Sequence, residues 1–465
     1  MLLLSILHQT KFMEVHSKYK FKKYKADTLV LIFLILFSIP FKIFANTDSL
    51  TNQKSQPFEW GDFTWLQGNN RQTQQLLKSR YITGGFTLDM NYNYSFNNPI
   101  DHTNSGSTAT FRSNEFNLSY IEAGAEFNEP KSGARGKLML QFGSRATGIP
   151  RNDNTPLRGQ YDLYTALRYV TEGYAGIHLN KMHGINLDFG IFKSYVGLLS
   201  YNNFENWNYQ PSFTSDNTPW FFTGARMQAF PSDKLKIEVW LINGWQTYAM
   251  FNERPGIGYQ ILWRPKEWCS LTTSSYVGWD TPLNKSRTRF HTDNSLLIRY
   301  INDKSKMISK AAFSLTGDLG FEKGGGVSAF GENSYPAQNF ISWMVYNRFW
   351  FGEKQKWACT FGGGYINNPG RYLALLPSGN GYLSQNPGDI FKGWDFSTGM
   401  QFMPNEFITY GIEYVSRHTN VPYFSGKGGV TSPNGWNQPI GNPNSYIADL
   451  VKDENRIIFS SIFRF

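Results

Sequence analysis

The chain has 465 residues, 45 Lys and Arg against 35 Asp and Glu, 17% aromatic residues, 43 Gly and only 17% charged residues. That mix suits strands and tight turns and excludes a disordered chain, which is poor in aromatics and rich in charge. A mean hydropathy of −0.42 excludes a bundle of membrane-spanning helices, and no Lys/Arg cluster of the kind that tracks phosphates argues for a nucleic-acid partner.

The first feature along the chain is a basic stretch, Lys18, Lys20, Lys22, Lys23 and Lys25, followed by an apolar run at 29–39. The run is too short to cross a membrane as a helix, which takes about 20 residues. It reads as a secretory signal over residues 1–45, ending at Phe44 and Ala45, with Met13 as an alternative start. Residues 1–45 hold 7 of the 45 basic and 2 of the 35 acidic side chains, so the remainder carries 38 and 33, a net charge of +5. Much of the basic character therefore belongs to the signal.

Residues 46–79 are polar, with a Gln-rich stretch at 71–78 and an aromatic patch of Phe58, Trp60, Phe63 and Trp65. A periplasmic or lumenal segment is expected there. It is too short for a globular plug.

From residue 80 onward the chain alternates with a period of two. Ile185, Leu187, Phe189 and Ile191 share one face, as do Leu235, Ile237, Val239 and Leu241, and Ile408, Tyr410, Ile412 and Tyr414. Segments of about ten residues with one apolar face mark the strands of a transmembrane barrel. The pattern predicts strands at 80–96, 111–128, 134–144, 169–180, 185–196, 219–230, 234–248, 256–264, 267–280, 290–302, 306–320, 338–352, 355–367, 393–403, 406–418 and 455–465. Short links carrying turn residues, such as Pro130 with Gly133, Pro231-Ser232-Asp233 and Pro404-Asn405, alternate with mostly longer ones. The prediction for residues 80–465 is an all-β fold, a transmembrane antiparallel barrel of about sixteen strands (range 14–18). Periplasmic turns are short and external loops longer. A barrel of that size leaves an aqueous channel.

The last strand places Ile457, Phe459, Phe463 and Phe465 on one face and ends on an aromatic carboxylate. It resembles the closing strand of Gram-negative outer-membrane barrels. That resemblance implies the barrel-assembly machinery as a partner through Phe465. Cys269 and Cys359 fall four predicted strands apart, too far to bridge, and read as small apolar residues facing the membrane.

Residues 204–224, from Phe204-Glu-Asn-Trp-Asn-Tyr to Trp220-Phe-Phe-Thr-Gly, and 236–246, Lys236-Ile-Glu-Val-Trp through Trp245-Gln246, resemble the putative beta-barrel porin-2 family of outer-membrane proteins. Arg158 to Leu163, Arg289 to Ser295 and Phe313 to Gly320 are similar too. The resemblance implies a single-chain barrel with porin activity in the outer membrane. It names no substrate and supplies no catalytic residue.

No HExxH, CxxC, Walker loop or GxSxG elbow is present in the sequence. No catalytic residue, cofactor or metal is therefore expected. What remains is pore chemistry, set by charged side chains on the polar faces of the strands. The pore-lining candidates are Arg145, Arg151, Arg158, Glu172, Asp188, Glu205, Asp216, Arg226, Lys236, Glu238, Arg299 and Glu413, with Lys137, Gln141 and His178 beside them. Both signs occur, which predicts weak charge selectivity; some of these groups could equally brace the wall as salt bridges. The loop at 197–218, the third external one, joins Tyr201, Phe204, Trp207, Tyr209 and Phe213 to Glu205 and Asp216. Exposing those rings to water would be costly. The loop is expected to fold inward, setting its two acids against Arg145 and Arg226, or else to seal the rim or a subunit contact. The resulting expectation is a passive channel for small hydrophilic solutes in the outer-membrane lipid, with homo-oligomers open. Its rivals are an outer-membrane enzyme acting on lipid and a structural or adhesive barrel with a closed lumen.

Overall fold

In the bilayer every backbone N–H and C=O must find a partner within the protein, so a strand-built protein crosses only as a closed barrel. The computed structural model describes residues 56–465 apart from 69–71, 73, 105, 151–152, 154–159, 332–336, 371–389 and 428–448. The signal expected at 1–45 and the candidates Arg151 and Arg158 lie outside the described residues.

The strands are β1 (Ile82–Ser95), β2 (Phe116–Asn128), β3 (Ala134–Phe142), β4 (Val170–Leu179), β5 (Ile185–Lys193), β6 (Phe221–Ser232), β7 (Leu235–Ile242), β8 (Gly256–Lys266) and β9 (Cys269–Gly278). They continue as β10 (Thr288–Asn302), β11 (Ile308–Lys323), β12 (Asn339–Phe351), β13 (Trp357–Asn368), β14 (Phe391–Phe402) and β15 (Ile408–Thr419). A small hairpin of β16 (Phe424–Ser425) and β17 (Leu450–Val451) precedes the last strand, β18 (Asp453–Arg464). Each long strand pairs antiparallel with its neighbour in sequence, and β18 pairs with both β15 and β1, which closes a sixteen-stranded barrel. The seam runs in register from Thr87 opposite Arg464 to Ser95 opposite Arg456. Phe465 finishes it: its N–H donates to the Phe86 carbonyl at 2.8 Å and its carbonyl accepts from the Phe86 N–H at 3.1 Å.

The faces follow the alternation. On β15, Tyr410, Ile412 and Tyr414 are 39–47% exposed on the outer side, whereas Thr409 and Glu413 are buried. On β7, Lys236, Glu238, Trp240 and Ile242 point inward, and Glu238 bonds the lumenal Gln228 at 2.6 Å. Cys359 shares the outer parity of Trp357 and Phe361, and both cysteines are free.

Several departures trace to material folded into the lumen. Strand β5 ends at Lys193 and β7 at Ile242, short of the predicted 196 and 248. Tyr195, Val196 and Trp245 leave their strands to join Phe192, Phe222, Trp240 and Tyr276 in a buried cluster. Residues 111–115, predicted as the start of β2, belong instead to a loop whose Phe111 is buried. Ile191, expected on the lipid face, packs with Phe111, Tyr201 and Trp220. Large rings therefore occupy a face that alternation alone assigns to water.

Val239 shares its face with Leu235, Ile237 and Leu241, so Val239→Arg should destabilise the folded barrel by roughly 2–4 kcal/mol if the site lies near the membrane midplane. Urea unfolding of the protein in lipid would measure this, with Gln228→Arg on the lumenal face as the comparison. An equal loss from both substitutions would contradict the assigned faces.

Candidate functional site: the filled lumen and its charged wall

The loop between β5 and β6 lies inside the barrel. Residues 201–204 and 206–220 are all buried, although no strand contains them before Phe221. A buried loop must find hydrogen-bond partners for its backbone and polar side chains, and here the barrel wall supplies them. Glu413 accepts the N–H groups of Tyr209 and Gln210 at 2.6 and 2.9 Å. Asp395 accepts from the Ser212 hydroxyl and the Phe213 N–H, both at 2.8 Å. Asp89 accepts from the Tyr209 hydroxyl at 2.7 Å. Arg348 donates at 2.9 Å to the Trp207 carbonyl.

One ion pair sits at the centre. Arg417 and Asp216 meet at 2.7 Å with both side chains 0% exposed. The second guanidinium nitrogen of Arg417 donates to the Gly106 carbonyl at 2.7 Å, and the Phe213 ring lies 4.0 Å from the guanidinium carbon. The first external loop completes the set, with the Thr108 N–H and hydroxyl both donating to Asp216 at 2.9 and 2.5 Å. Gln210 takes Ser107 and Arg456 on its oxygen, each at 2.8 Å. Gly106 has φ +63°, and a Cβ there would lie 2.2 Å from the Tyr423 ring, so only glycine fits this crossing.

A second charged group runs over strands β2–β7. Lys137 lies 2.8 Å from Glu172, Lys193 2.8 Å from Glu122 and 3.5 Å from Glu172, Arg226 2.7 Å from Asp188, and Lys236 2.7 Å from Glu238. Arg135 reaches the same Asp188 at 3.7 Å.

The third part is the stretch before β1. The Phe58 N–H donates to the Asp233 carbonyl at 2.8 Å, in the turn between β6 and β7. The Trp65 indole donates to the Glu267 carbonyl at 2.9 Å, and its ring is 1% exposed among Leu297, Met344, Trp350 and Met403. The Gly68 N–H donates to the Glu205 carbonyl at 3.1 Å. A Cβ on Gly68 would stand 1.7 Å from the Asn206 carbonyl oxygen. Residues 58–68 thus reach from the β6–β7 turn past β8–β12 to the inward loop. Partial burial pushes the Asp62 carboxyl up, but the Thr64 hydroxyl and N–H, together with Lys310 and Arg299, outweigh it and hold the group below its ordinary value.

These contacts revise the expected opposition across the lumen. Asp216 faces Arg417, not Arg145 or Arg226. Arg145 donates to Asn203 at 2.7 Å and lies against the rings of Tyr201, Tyr120 and Trp220; Arg226 belongs to Asp188. The Glu205 carboxylate accepts from the hydroxyl of Ser200 within the loop itself. Arg299 lies near the periplasmic end, 3.6 Å from Asp62 and 3.4 Å from Glu267. Gln141 accepts from the Tyr201 hydroxyl at 2.7 Å, and His178 bonds Asn186 at 2.8 Å. The clamping groups Arg348, Arg417, Arg456, Asp89 and Asp395 escaped the sequence reading. Parity could have found two of them: Arg417 lies four residues beyond Glu413 on the same face, and Arg456 alternates with the outward Ile457.

Against known proteins, the family model described as putative beta-barrel porin-2, OmpL-like, matches residues 81–465. The chain belongs to this family. It is an outer-membrane porin, and its place is the outer membrane of a Gram-negative bacterium. OprB of Pseudomonas putida is similar in fold, with a TM-score of 0.51 and 10% identity over 83% of this chain and 94% of that one. An anion-selective porin from Comamonas acidovorans gives a TM-score of 0.48 and 8% identity over 83% and 99%. The outer membrane channel DcaP of Acinetobacter baumannii gives 0.46 and 12% over 83% and 97%. At these identities the likeness is one of fold. No curated protein sequence matches the chain.

In this porin, Arg417→Met should leave Asp216 charged and buried without its cation, a loss of about 3–5 kcal/mol from the loop's attachment. Protease cleavage within residues 201–218 should accelerate while the barrel stays intact. Adding Asp216→Asn should recover most of the protection. Equal cleavage of the wild-type and Arg417→Met proteins would mean that the pair does not hold the loop.

Proposed function

We propose that this porin passes small hydrophilic solutes by passive diffusion and that loop 194–220 is its constriction. The observation that carries this reading is the buried loop clamped from the wall by Asp89, Arg348, Asp395, Glu413 and Arg417. A loop held from four strands, β1, β12, β14 and β15, does not sweep aside with thermal motion. It narrows the lumen permanently and sets a size limit. The solutes pass along the remaining wall, where Arg226, Lys236 and Lys137 reach lumenal water over Asp188, Glu238 and Glu172. Both signs line that wall, which supports weak rather than strict charge selectivity.

Residues 1–45 direct export and are removed. The seam ending at Phe465 is the segment offered to the barrel-assembly machinery, and the aromatic outer face meets lipid. The exposed outer surface leaves room for homo-oligomers; one of the solved structures with a similar fold is described as a trimer form of OmpT from Vibrio cholerae.

Removing residues 204–213 should raise single-channel conductance in planar bilayers about twofold or more, because a pore's conductance follows its narrowest cross-section. The deletion must still migrate as a heat-modifiable barrel. Unchanged conductance from such a barrel would take the loop out of the transport path. No conductance from either form would favour a closed structural barrel.

A further inference from the structure

We propose that the wall of β3–β7 is a basic track and that the solutes it favours are anions, carboxylates and phosphates among them. The proposal rests on the porin reading and names its substrate class.

The reason lies in depth. Arg135, Lys137, Arg226 and Lys236 occupy inward positions, and their side chains are 20, 20, 11 and 17% exposed. Lys193, at the end of β5, is 18% exposed. Their acidic partners lie beneath them: Asp188 is 0% exposed, Glu238 3%, Glu122 5% and Glu172 11%. Because the first four are on inward-facing strand positions, the solvent that reaches them is lumenal; Lys193 turns inward to Glu122 and to Asn202 of the loop, at 2.8 and 3.2 Å. The outer face of the same strands carries Leu138, Leu140 and Phe189 instead.

Side-chain length produces the layering. An Asp or Glu stops close to the wall, while Lys and Arg extend over it and turn their heads to the water. Five cations here face five acids once Glu126 is included, so the wall is close to neutral in sum. Glu126 is the exception to the layering, 48% exposed, and it stands toward the periplasmic end of β2. Elsewhere on this wall a solute at contact distance meets positive ends first. Arg226 is held in place, with the rings of Phe192, Tyr174 and Trp240 at 4.5, 5.0 and 5.4 Å and Asp188 beneath. Between Arg135 and Asp188 the inward position on β4 is Gly176, where a Cβ would fall 2.5 Å from the Asp188 carboxylate. Nothing larger can cover the charges there.

The opposite wall does not cancel the bias. Asp216 and Arg417 are both sealed from solvent, and Asp395 and Glu413 are bonded to the inward loop. Near the external end the same order recurs: Arg287 and Arg289 are 23 and 14% exposed over Glu322 at 2%. Each cation stays paired with a carboxylate, in several cases a shared one, so a passing anion is attracted without being trapped, as conduction requires.

The test is the reversal potential of the full-length mature protein in planar bilayers under a potassium chloride gradient. The wild-type channel should favour chloride over potassium, and the preference should shrink as salt rises and screens the track. Arg135→Gln with Lys236→Gln should lower the chloride-to-potassium permeability ratio by roughly threefold, the scale of removing two nearby charges in a wet pore. A measurement on the wild-type protein needs no variant: pyrophosphate should block chloride current at concentrations where spermine does not. Potassium preference in the wild type, or a ratio unmoved by the double substitution in a folded barrel, would overturn the proposal and leave the porin reading intact. Absence of current from every form would overturn both.

Discussion

The pairing of β18 with β1 is the constraint on which the rest depends. A strand edge left open in lipid strands a row of N–H and C=O groups, each costing several kcal/mol. The seam from Thr87–Arg464 to Ser95–Arg456, with the exchange between Phe86 and Phe465, removes that edge. Closure defines an inside and an outside. Only then does alternation assign one set of side chains to lipid and the other to the lumen.

Inside, the barrel behaves as a second protein interior. The third loop has no secondary structure to satisfy most of its backbone, so wall carboxylates and guanidiniums do it. Glu413, Asp395 and Arg348 act on the loop as caps act on a helix end. The cost of burying Asp216 is offset by Arg417, by Thr108 and by Gln210, because an ion pair away from water is tolerable only when its remaining hydrogen-bonding capacity is also used. The stretch at 58–68 joins the same network through Gly68 and Trp65. Loop, N-terminal stretch and wall are thus one hydrogen-bonded unit rather than a pore with mobile fittings.

On the β3–β7 side the same chemistry serves a different end. There Lys193 also bonds Asn202 of the loop at 3.2 Å, but Arg135, Lys137, Arg226 and Lys236 keep part of their length in water. Whether a lumenal ion pair is a clamp or part of the conducting surface is decided by what lies over it. Arg417 and Arg226 are both arginines paired with an aspartate at 2.7 Å. One is sealed and the other is wet.

The sixteen strands, the short turns and the outward set of Tyr410, Ile412 and Tyr414 were legible because period two is a local property, written in consecutive residues. The seam was legible for the same reason, in the alternation that ends at Phe465. Among site residues, Asp188, Arg226, Lys236 and Glu238 could be placed on the inner face by parity alone. Their partners could not all be found that way: Lys236 and Glu238 are neighbours on one strand, but Lys193 and Glu122 lie 71 residues apart. The sequence also foretold an inward loop, from five rings that water would not tolerate, yet paired its acids with the wrong arginines. Asp216 and Arg417 are separated by 201 residues, and no local pattern joins them. Trp240 and Phe192 sit on a face that alternation reads as wet, and only the folded loop makes that face dry. By itself, then, the sequence determined the barrel, its facing and its chemistry of wall charges, because those follow from short-range periodicity. The tertiary structure alone decided which charges are sealed and which meet the solute, because that depends on segments brought together across the lumen.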